Sequence, residues 1–256
     1  MCNAVSSIGP SVHKPALFDA IAVTLGTGPK YAALASNLLR RFAAAGNPVL
    51  VVTDMPDAFD AGTITIPYEP DGTHIWHAKR HAIAAGLERA WTAYFVDADF
   101  VPYTDCTAYP VPKLERMPMG VGGCAFKFRL EDVNFVGSIG HLADDPERVA
   151  VLEAASEHFK LNWKDLFWWG DFLFYVSRDE GDAGQRFVRA WHEFAQIRNN
   201  RFVASDGTAM AFAQAASGMP LIHHPPSLRA INGSCWHSFA GDHNRKNWPK
   251  QLPTTG

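Results

Sequence analysis

Apolar residues in this chain come in short unbroken blocks, separated by stretches where they recur every three or four positions. Ala20-Ile21-Ala22-Val23-Thr24-Leu25 is the first block, Val49-Leu50-Val51-Val52-Thr53 the second and Tyr94-Phe95-Val96 a third. Blocks of this length without polar alternation read as strands buried on both faces, the kind found inside a parallel sheet. Thr63-Ile64-Thr65-Ile66 reads as a further short strand. Between the first two blocks Leu34, Ala35, Leu38 and Phe42 follow Tyr31 at helical spacing, and Gly46 and Pro48 end that helix. A second helix is predicted from about Ile75 to Trp91, with Ala78, Ala82, Gly86 and Ala90 as its small-residue face. The first hundred residues thus alternate strand and helix, which in one sheet implies right-handed parallel crossovers.

After Asp99 the alternation loosens. Gly120 to Leu130 contains a strand-like Cys124-Ala125-Phe126-Lys127-Phe128. Asp145-Pro146-Glu147 supplies a cap, a first-turn Pro and an acid near the positive helix end. Phe172 to Val176 reads as another buried strand, and Asp179 is expected to cap a helix carrying Phe187, Val188, Trp191 and Phe194. Ser205 or Asp206 is expected to cap an Ala-rich helix ending at Gly218, with Pro220 to His224 as a last strand. Residues 1–17 show no periodicity and read as a lead-in, and no internal repeat or low-complexity linker interrupts the chain.

Composition narrows the class. The 256 residues are 47% hydrophobic and 19% charged, which gives ample core material and no disorder signature. A formal net charge of -3 gives no whole-protein attraction to nucleic acid or anionic membrane. Cys2, Cys106, Cys124 and Cys235 form no Cys-x-x-Cys pair, which argues against a zinc site or disulfide framework and for a reducing compartment. No basic-then-apolar leader and no run of about 18 apolar residues is present, so a cytoplasmic protein without a membrane span is expected.

The chemistry centres on Asp97-Ala98-Asp99, which follows the third block directly. Open α/β sheets place ligands at the C-terminal ends of their strands. Two carboxylates there suit a hard cation, Mg²⁺ or Mn²⁺, shared with substrate phosphates. The same sequence is also an ordinary turn, since Asp initiates turns and caps helices. Gly26-Thr27-Gly28 stands at a strand-to-helix junction, where glycine permits close backbone approach and a helix start favours anions. It is neither a Walker loop nor a full Gly-x-Gly-x-x-Gly, because Tyr31 takes the third glycine position. Tyr31 itself either stacks on a base or joins the core.

Lys79 and Arg80 lie on the helix before the Asp-x-Asp strand, either on a solvated face or as phosphate donors. His237, followed by Gly241, Arg245, Lys246 and Trp248, fits a loop that closes over a diphosphate, with a neutral imidazole completing a carboxylate-held Mn²⁺ site. His223-His224 read as structural, because adjacent strand residues point opposite ways. Asp171 lies in the aromatic stretch Trp168-Trp169-Gly170-Asp171-Phe172, and an acid among such neighbours needs a partner or a purpose. Asp206 is either a helix cap or an acceptor for sugar hydroxyls.

Together these segments resemble the GT-A-fold glycosyltransferases, most similar to the glycogenin-like family 8 group. Val23 to Tyr31 has the spacing of that family's uridine-binding strand and turn, Lys79 stands where it keeps a phosphate- and sugar-contacting lysine, and Phe95-Val96-Asp97-Ala98-Asp99 matches its metal motif. Gly170 to Tyr175 and Ser205-Asp206-Gly207 resemble its sugar- and acceptor-side segments, and His237 to Trp248 resembles its terminal His-x-x-Gly-x-x-Lys-Pro-Trp. In that last segment Gly241 is one residue late, Lys246 is three late and Asn247 replaces the proline; Gly28 replaces a polar residue of the uridine turn. The middle of the chain is also similar to blood-group-type transferases.

The resemblance implies an α/β, GT-A type fold: a mostly parallel central sheet flanked by helices. It implies one domain over 1–256, with a nucleotide-binding half at about 18–100 and an acceptor- and sugar-binding half at about 101–256. It implies metal-dependent transfer of a hexose or pentose from a nucleoside diphosphate sugar, a UDP-sugar first of all, to an unidentified acceptor, with retention. Asp97, Asp99 and His237 would hold Mn²⁺ or Mg²⁺; Thr24, Leu25, Gly26, Thr27 and Tyr31 would line the base pocket. Lys79, Arg80, Gly241 and Lys246 would face the diphosphate, and Asp171 and Asp206 the sugar or acceptor. Protein, polysaccharide, lipid, metabolite and modified nucleic acid all stay open as acceptors. Two rivals are a phosphohydrolase using Asp97 and Asp99, disfavoured because the motif comes late and is followed by Phe100-Val101, and a non-catalytic nucleotide-sugar or carbohydrate-binding protein, for which the eight Trp would suit sugar stacking.

Overall fold

The computed structural model describes residues 16–102, 108–123, 129–132, 134–135, 140–141, 144–197, 206–223 and 225–237. Its first part runs β1 (Phe18–Leu25), α1 (Gly28–Ala44), β2 (Val49–Thr53), β3 (Ile64–Pro67), α2 (Lys79–Leu87) and β4 (Ala90–Val96). Then come the short β5 (Phe100–Pro102), β6 (Gly120–Gly123), β7 (Asn134–Phe135), β8 (Gly140–His141) and α3 (Pro146–Phe159). The described chain closes with β9 (Leu173–Ser177), α4 (Ala183–Gln196), α5 (Asp206–Ser217), β10 (Leu221–His223), α6 (Pro226–Ser234) and β11 (Cys235–His237). Seven strands form one sheet in the order β3-β2-β1-β4-β9-β6-β10. All its pairings are parallel except those of β9, which runs antiparallel to both β4 and β6. The fold is α/β, a mostly parallel sheet flanked by helices.

The unbroken apolar strands are explained by helices on both faces. Ala20, Ala22, Tyr94 and Val96 pack with Leu38 and Phe42 of α1 and Leu228 and Ile231 of α6. Ile21, Val23, Phe95 and Phe174 pack on the other side with side chains of α2, α3, α4 and α5. Side chains alternate across a strand, so each block feeds both layers.

The larger differences from the sequence reading are these. The helix expected over 75–91 is a 3₁₀ turn at Ile75–Ala78 followed by α2, and Ala90 and Trp91 belong to β4. The ladder to β1, which pairs Phe18 with Ala90, takes those residues from the helix. Helix and sheet are pressed close: a Cβ on Gly86 would stand 2.8 Å from Val23 Cγ1. The strand expected within 120–130 is β6, a glycine-rich segment, while Cys124 to Phe128 lie outside the described residues. An added Cβ at Gly122 would overlap the Tyr175 ring, and one at Gly123 would stand 2.8 Å from Trp169 Cε3. Asp182, not Asp179, holds the cap position of α4; the Asp179 carboxylate instead accepts from Gly181 N at 3.0 Å. Helix α1 starts at Gly28, ahead of Tyr31. The Asp145 cap of α3 is as expected, accepting from Glu147 N at 3.0 Å. Among the described residues no helix is long and apolar enough to cross a membrane.

Candidate active site

From β1 the chain passes to β2 on one side, while β4 lies against β1 on the other. The sheet therefore has a switch point between β1 and β4, where open α/β sheets bind ligands beyond the strand ends. Thr24 Oγ1 donates to Val96 O at 2.6 Å and ties the two strand ends together. Thr53 Oγ1 donates to Gly26 O at 2.6 Å, and Gly26 N donates to Val52 O at 3.0 Å, so the turn after β1 is fixed to β2. Gly28 has φ +70, a conformation that favours glycine. Its N–H, the first amide of α1, donates to Asp54 Oδ1 at 2.8 Å. That amide is therefore already engaged by a carboxylate. Asp54 was not singled out from sequence; its only signal is an acid closing β2. Tyr31, in the first turn of α1, packs at the margin of the α1-side core.

The Asp-x-Asp segment is a fixed turn. Asp97 N donates to Phe172 O and Phe100 N donates to Asp97 O, both at 2.9 Å. Phe100 and Phe172 stack with centroids 5.5 Å apart, and Ala98 is buried. The turn and ligand readings of this sequence are thus compatible.

Lys79, the first residue of α2, is the centre of the site. Its Nζ lies 3.0 Å from Asp97 Oδ2, 2.8 Å from Asp206 Oδ2 and 3.0 Å from Asp171 O. An ammonium has three N–H donors, and three acceptors from three segments take them. The Phe95 ring lies 5.4 Å from the same nitrogen. Burial works against this charge, but Asp206, Asp97 and Asp171 outweigh it and hold the ammonium well above its ordinary value. Burial pushes the Asp97 carboxyl up to about 6; Lys79 opposes, and Asp99 and Asp171 add to the rise. Burial, then the charge of Asp206, holds the Asp171 carboxyl well above the carboxylate range against Lys79. Asp171 hydrogen-bonds Asp206, and that contact also favours its protonated form.

Among the described residues, Asp97, Asp99, Asp171 and Asp206 outnumber the Lys79 ammonium, and this excess of oxygen donors fits a hard divalent cation. Among the described residues no three His, Cys, Asp or Glu close on one point. Strand β11 pairs antiparallel with β5 in a register that sets His237 opposite Phe100, next to Asp99. The His237 side chain, Arg245, Gly241 and Lys246 lie outside the described residues.

Arg80 is not brought to this group. It is 2% exposed, paired with Asp71, and its Nη1 donates to Thr73 Oγ1 at 3.1 Å and to His77 O at 2.6 Å. Its Nη2 also meets His192 Nδ1 at 3.2 Å. His77 is kept neutral, pushed down to about 3 by burial and then by Arg80, and accepts from Trp191 Nε1 at 3.2 Å. These contacts staple the loop between β3 and α2 to α4.

No protein-family model matches the chain, and no curated protein matches it in sequence. Among solved structures it is similar to the galactosyltransferase LgtC in complex with donor and acceptor sugar analogs, with a TM-score of 0.46 and 9% identity, covering 79% of this chain and 72% of that one. An active-site mutant of LgtC gives a TM-score of 0.44 and 10% identity over 90% of this chain and 80% of that one.

Proposed function

We propose that the chain is a metal-dependent glycosyltransferase that moves a hexose or pentose from a nucleoside diphosphate sugar, a UDP-sugar first of all, to an acceptor. The observation that carries this reading is the buried group of Lys79, Asp97, Asp171 and Asp206 beyond the strand ends, beside the switch point of the sheet. Thr24, Leu25, Gly26, Thr27 and Tyr31 hold the nucleoside over the end of β1. Asp97 and Asp99 hold Mn²⁺ or Mg²⁺, and the register of β11 supports His237 as the third ligand. When bound, the cation supplies positive charge to the departing diphosphate. By their place in the terminal segment of the sequence, Gly241 and Lys246 would serve the same diphosphate.

Lys79 fixes the strand end carrying Asp97 to the segments carrying Asp171 and Asp206, so the group is arranged before substrate arrives. Asp171 and Asp206 hydrogen-bond hydroxyls of the sugar or the acceptor. The bond from the anomeric carbon to the diphosphate oxygen breaks and its electron pair leaves with the diphosphate, while the acceptor hydroxyl oxygen bonds the anomeric carbon with retention and its proton passes to the departing diphosphate. In this reading about 18–100 is the nucleotide-binding half of one domain and about 101–256 the acceptor half. The separated cysteines fit a reducing cytoplasm.

The test is a thermal-shift screen of nucleoside diphosphates and their sugars with and without Mn²⁺. A ligand at a hundred times its dissociation constant adds about 2.7 kcal/mol, a clear melting shift. A shift that needs the metal, and that is lost in Asp99→Ala while the unliganded melt stays cooperative, is the expected result. No shift with any nucleotide overturns the reading.

A further inference from the structure

Lys79 stands where a lysine is unfavourable. It is the first residue of α2, and a cation at a helix start opposes the helix dipole. Its side chain is 10% exposed, and burial also works against the charge. The ammonium is kept there by Asp97 Oδ2 at 3.0 Å and Asp206 Oδ2 at 2.8 Å, with Asp171 O at 3.0 Å taking the third N–H. Asp206 is the first residue of α5, where a carboxylate suits the dipole. An ion pair thus joins the two helix starts.

The lysine has little freedom to withdraw. The next residue, Arg80, is buried and bound to Asp71, Thr73 and His77 O, which fixes the start of α2. The Phe95 ring lies 5.4 Å from the Lys79 nitrogen. A divalent cation drawn to Asp97 therefore meets a fixed positive charge bonded to the same carboxylate. It would also draw an acceptor away from a buried N–H, and a buried donor left unpaired is costly. An anion that arrives with the cation removes both difficulties. Its charge offsets the ammonium, and its oxygens accept the N–H that Asp97 releases.

We propose that Lys79 is a built-in counter-ion that keeps Asp97 from taking a divalent cation alone and admits one only together with an anionic co-ligand, a nucleoside diphosphate; this rests on the transferase reading. Cation and diphosphate are then coupled through Lys79, and the coupling is reciprocal, each tightening the other by the same factor. A lysine that only holds the strand end to the two helices makes the opposite prediction. Its loss would loosen the carboxylates and weaken cation binding, never strengthen it.

The experiment measures Mn²⁺ binding to the full chain by loss of the free-ion EPR signal, with and without UDP, in wild type, Lys79→Arg, Lys79→Gln and Lys79→Met. It is run at about pH 8, above the Asp97 value of about 6. UDP binding is read in parallel by thermal shift. Lys79→Gln keeps N–H donors without the charge, so the test stands even where Lys79→Met does not fold. In wild type UDP should tighten Mn²⁺ binding by roughly tenfold or more, the scale of one unit charge at contact range. Without UDP, Lys79→Gln and Lys79→Met should bind Mn²⁺ roughly tenfold more tightly than wild type and lose most of the UDP dependence, while Lys79→Arg stays weak. Mn²⁺ binding in Lys79→Gln and Lys79→Met that is no tighter than in wild type overturns the counter-ion, whatever UDP does. Tighter Mn²⁺ binding in both, with no effect of UDP in any variant, keeps the counter-ion and overturns the diphosphate as its co-ligand, and with it the transferase. No Mn²⁺ binding by any of the four proteins overturns both.

Discussion

Lys79→Met removes the Lys79 ammonium from the carboxylate group while keeping an apolar stem in its place. The Lys79 and Asp206 side chains are 10% and 3% exposed, so water can do little to replace the lost partner. Removing one member of a buried pair costs about 3–5 kcal/mol, because the other charge stays buried without compensation. For a chain of this size each kcal/mol lowers the melting temperature by about 2–4 °C, so a fall of about 10 °C is expected at slightly alkaline pH. The sign with pH follows from the raised carboxyls. Asp97 sits at about 6 and Asp171 above the carboxylate range even with Lys79 present, and losing the ammonium raises both further. A group whose folded value is raised contributes stability below its unfolded value, and that contribution is lost as pH rises through the folded value. The variant's deficit should therefore be larger at about pH 8 than at about pH 5, on either side of the Asp97 value of about 6. Urea titrations of wild type, Lys79→Met, Asp206→Asn and the double variant at both pH values give the coupling directly. At high pH the double variant should be less damaged than the sum of the singles. A Lys79→Met deficit that is absent, or equal at both pH values, would refute the electrostatic account of this site.

The remaining predictions use the same structure. Wild type should lose stability as pH rises from about 4 through about 6, by up to about 3 kcal/mol from Asp97 alone, and Asp97→Asn should flatten that window in a melting-temperature profile; an unchanged slope would remove Asp97 as its source. Gly122→Ala should destabilise by about 1–3 kcal/mol in urea titration, because its Cβ overlaps the ring of buried Tyr175, and a neutral effect would mean that β6 and β9 separate more easily than their packing implies.

Most of the sheet was legible because each core strand is buried twice over and so announces itself as an unbroken apolar block. The blocks at Ala20, Val49, Tyr94 and Phe172 lie within or against β1, β2, β4 and β9. Strand β6 was misread for a physical reason. It accommodates the rings of Tyr175 and Trp169 by having no side chains at Gly122 and Gly123, so its signal is carried by its neighbours and not by its own residues. The antiparallel sense of β9 was equally silent, since a doubly buried strand has the same composition in either direction.

The site shows a different limit. Asp97, Asp171, Asp206 and Lys79 each stood out alone, as acids in apolar surroundings or a cation beside them. Their convergence depends on β4, the turn before β9, and the starts of α2 and α5 meeting at one edge, which no local pattern encodes. That convergence changes the chemistry read from Lys79. As an isolated lysine on a helix it suggests a phosphate donor, but all three of its N–H groups are engaged within the chain. Arg80 shows the same effect, since one residue's rotation about α2 moves it from the ligand edge into the staple with Asp71 and His192. The sequence identifies which residues carry charge into the fold. Only the packing of α2 between the sheet and α4 decides which of two adjacent cations faces the carboxylates.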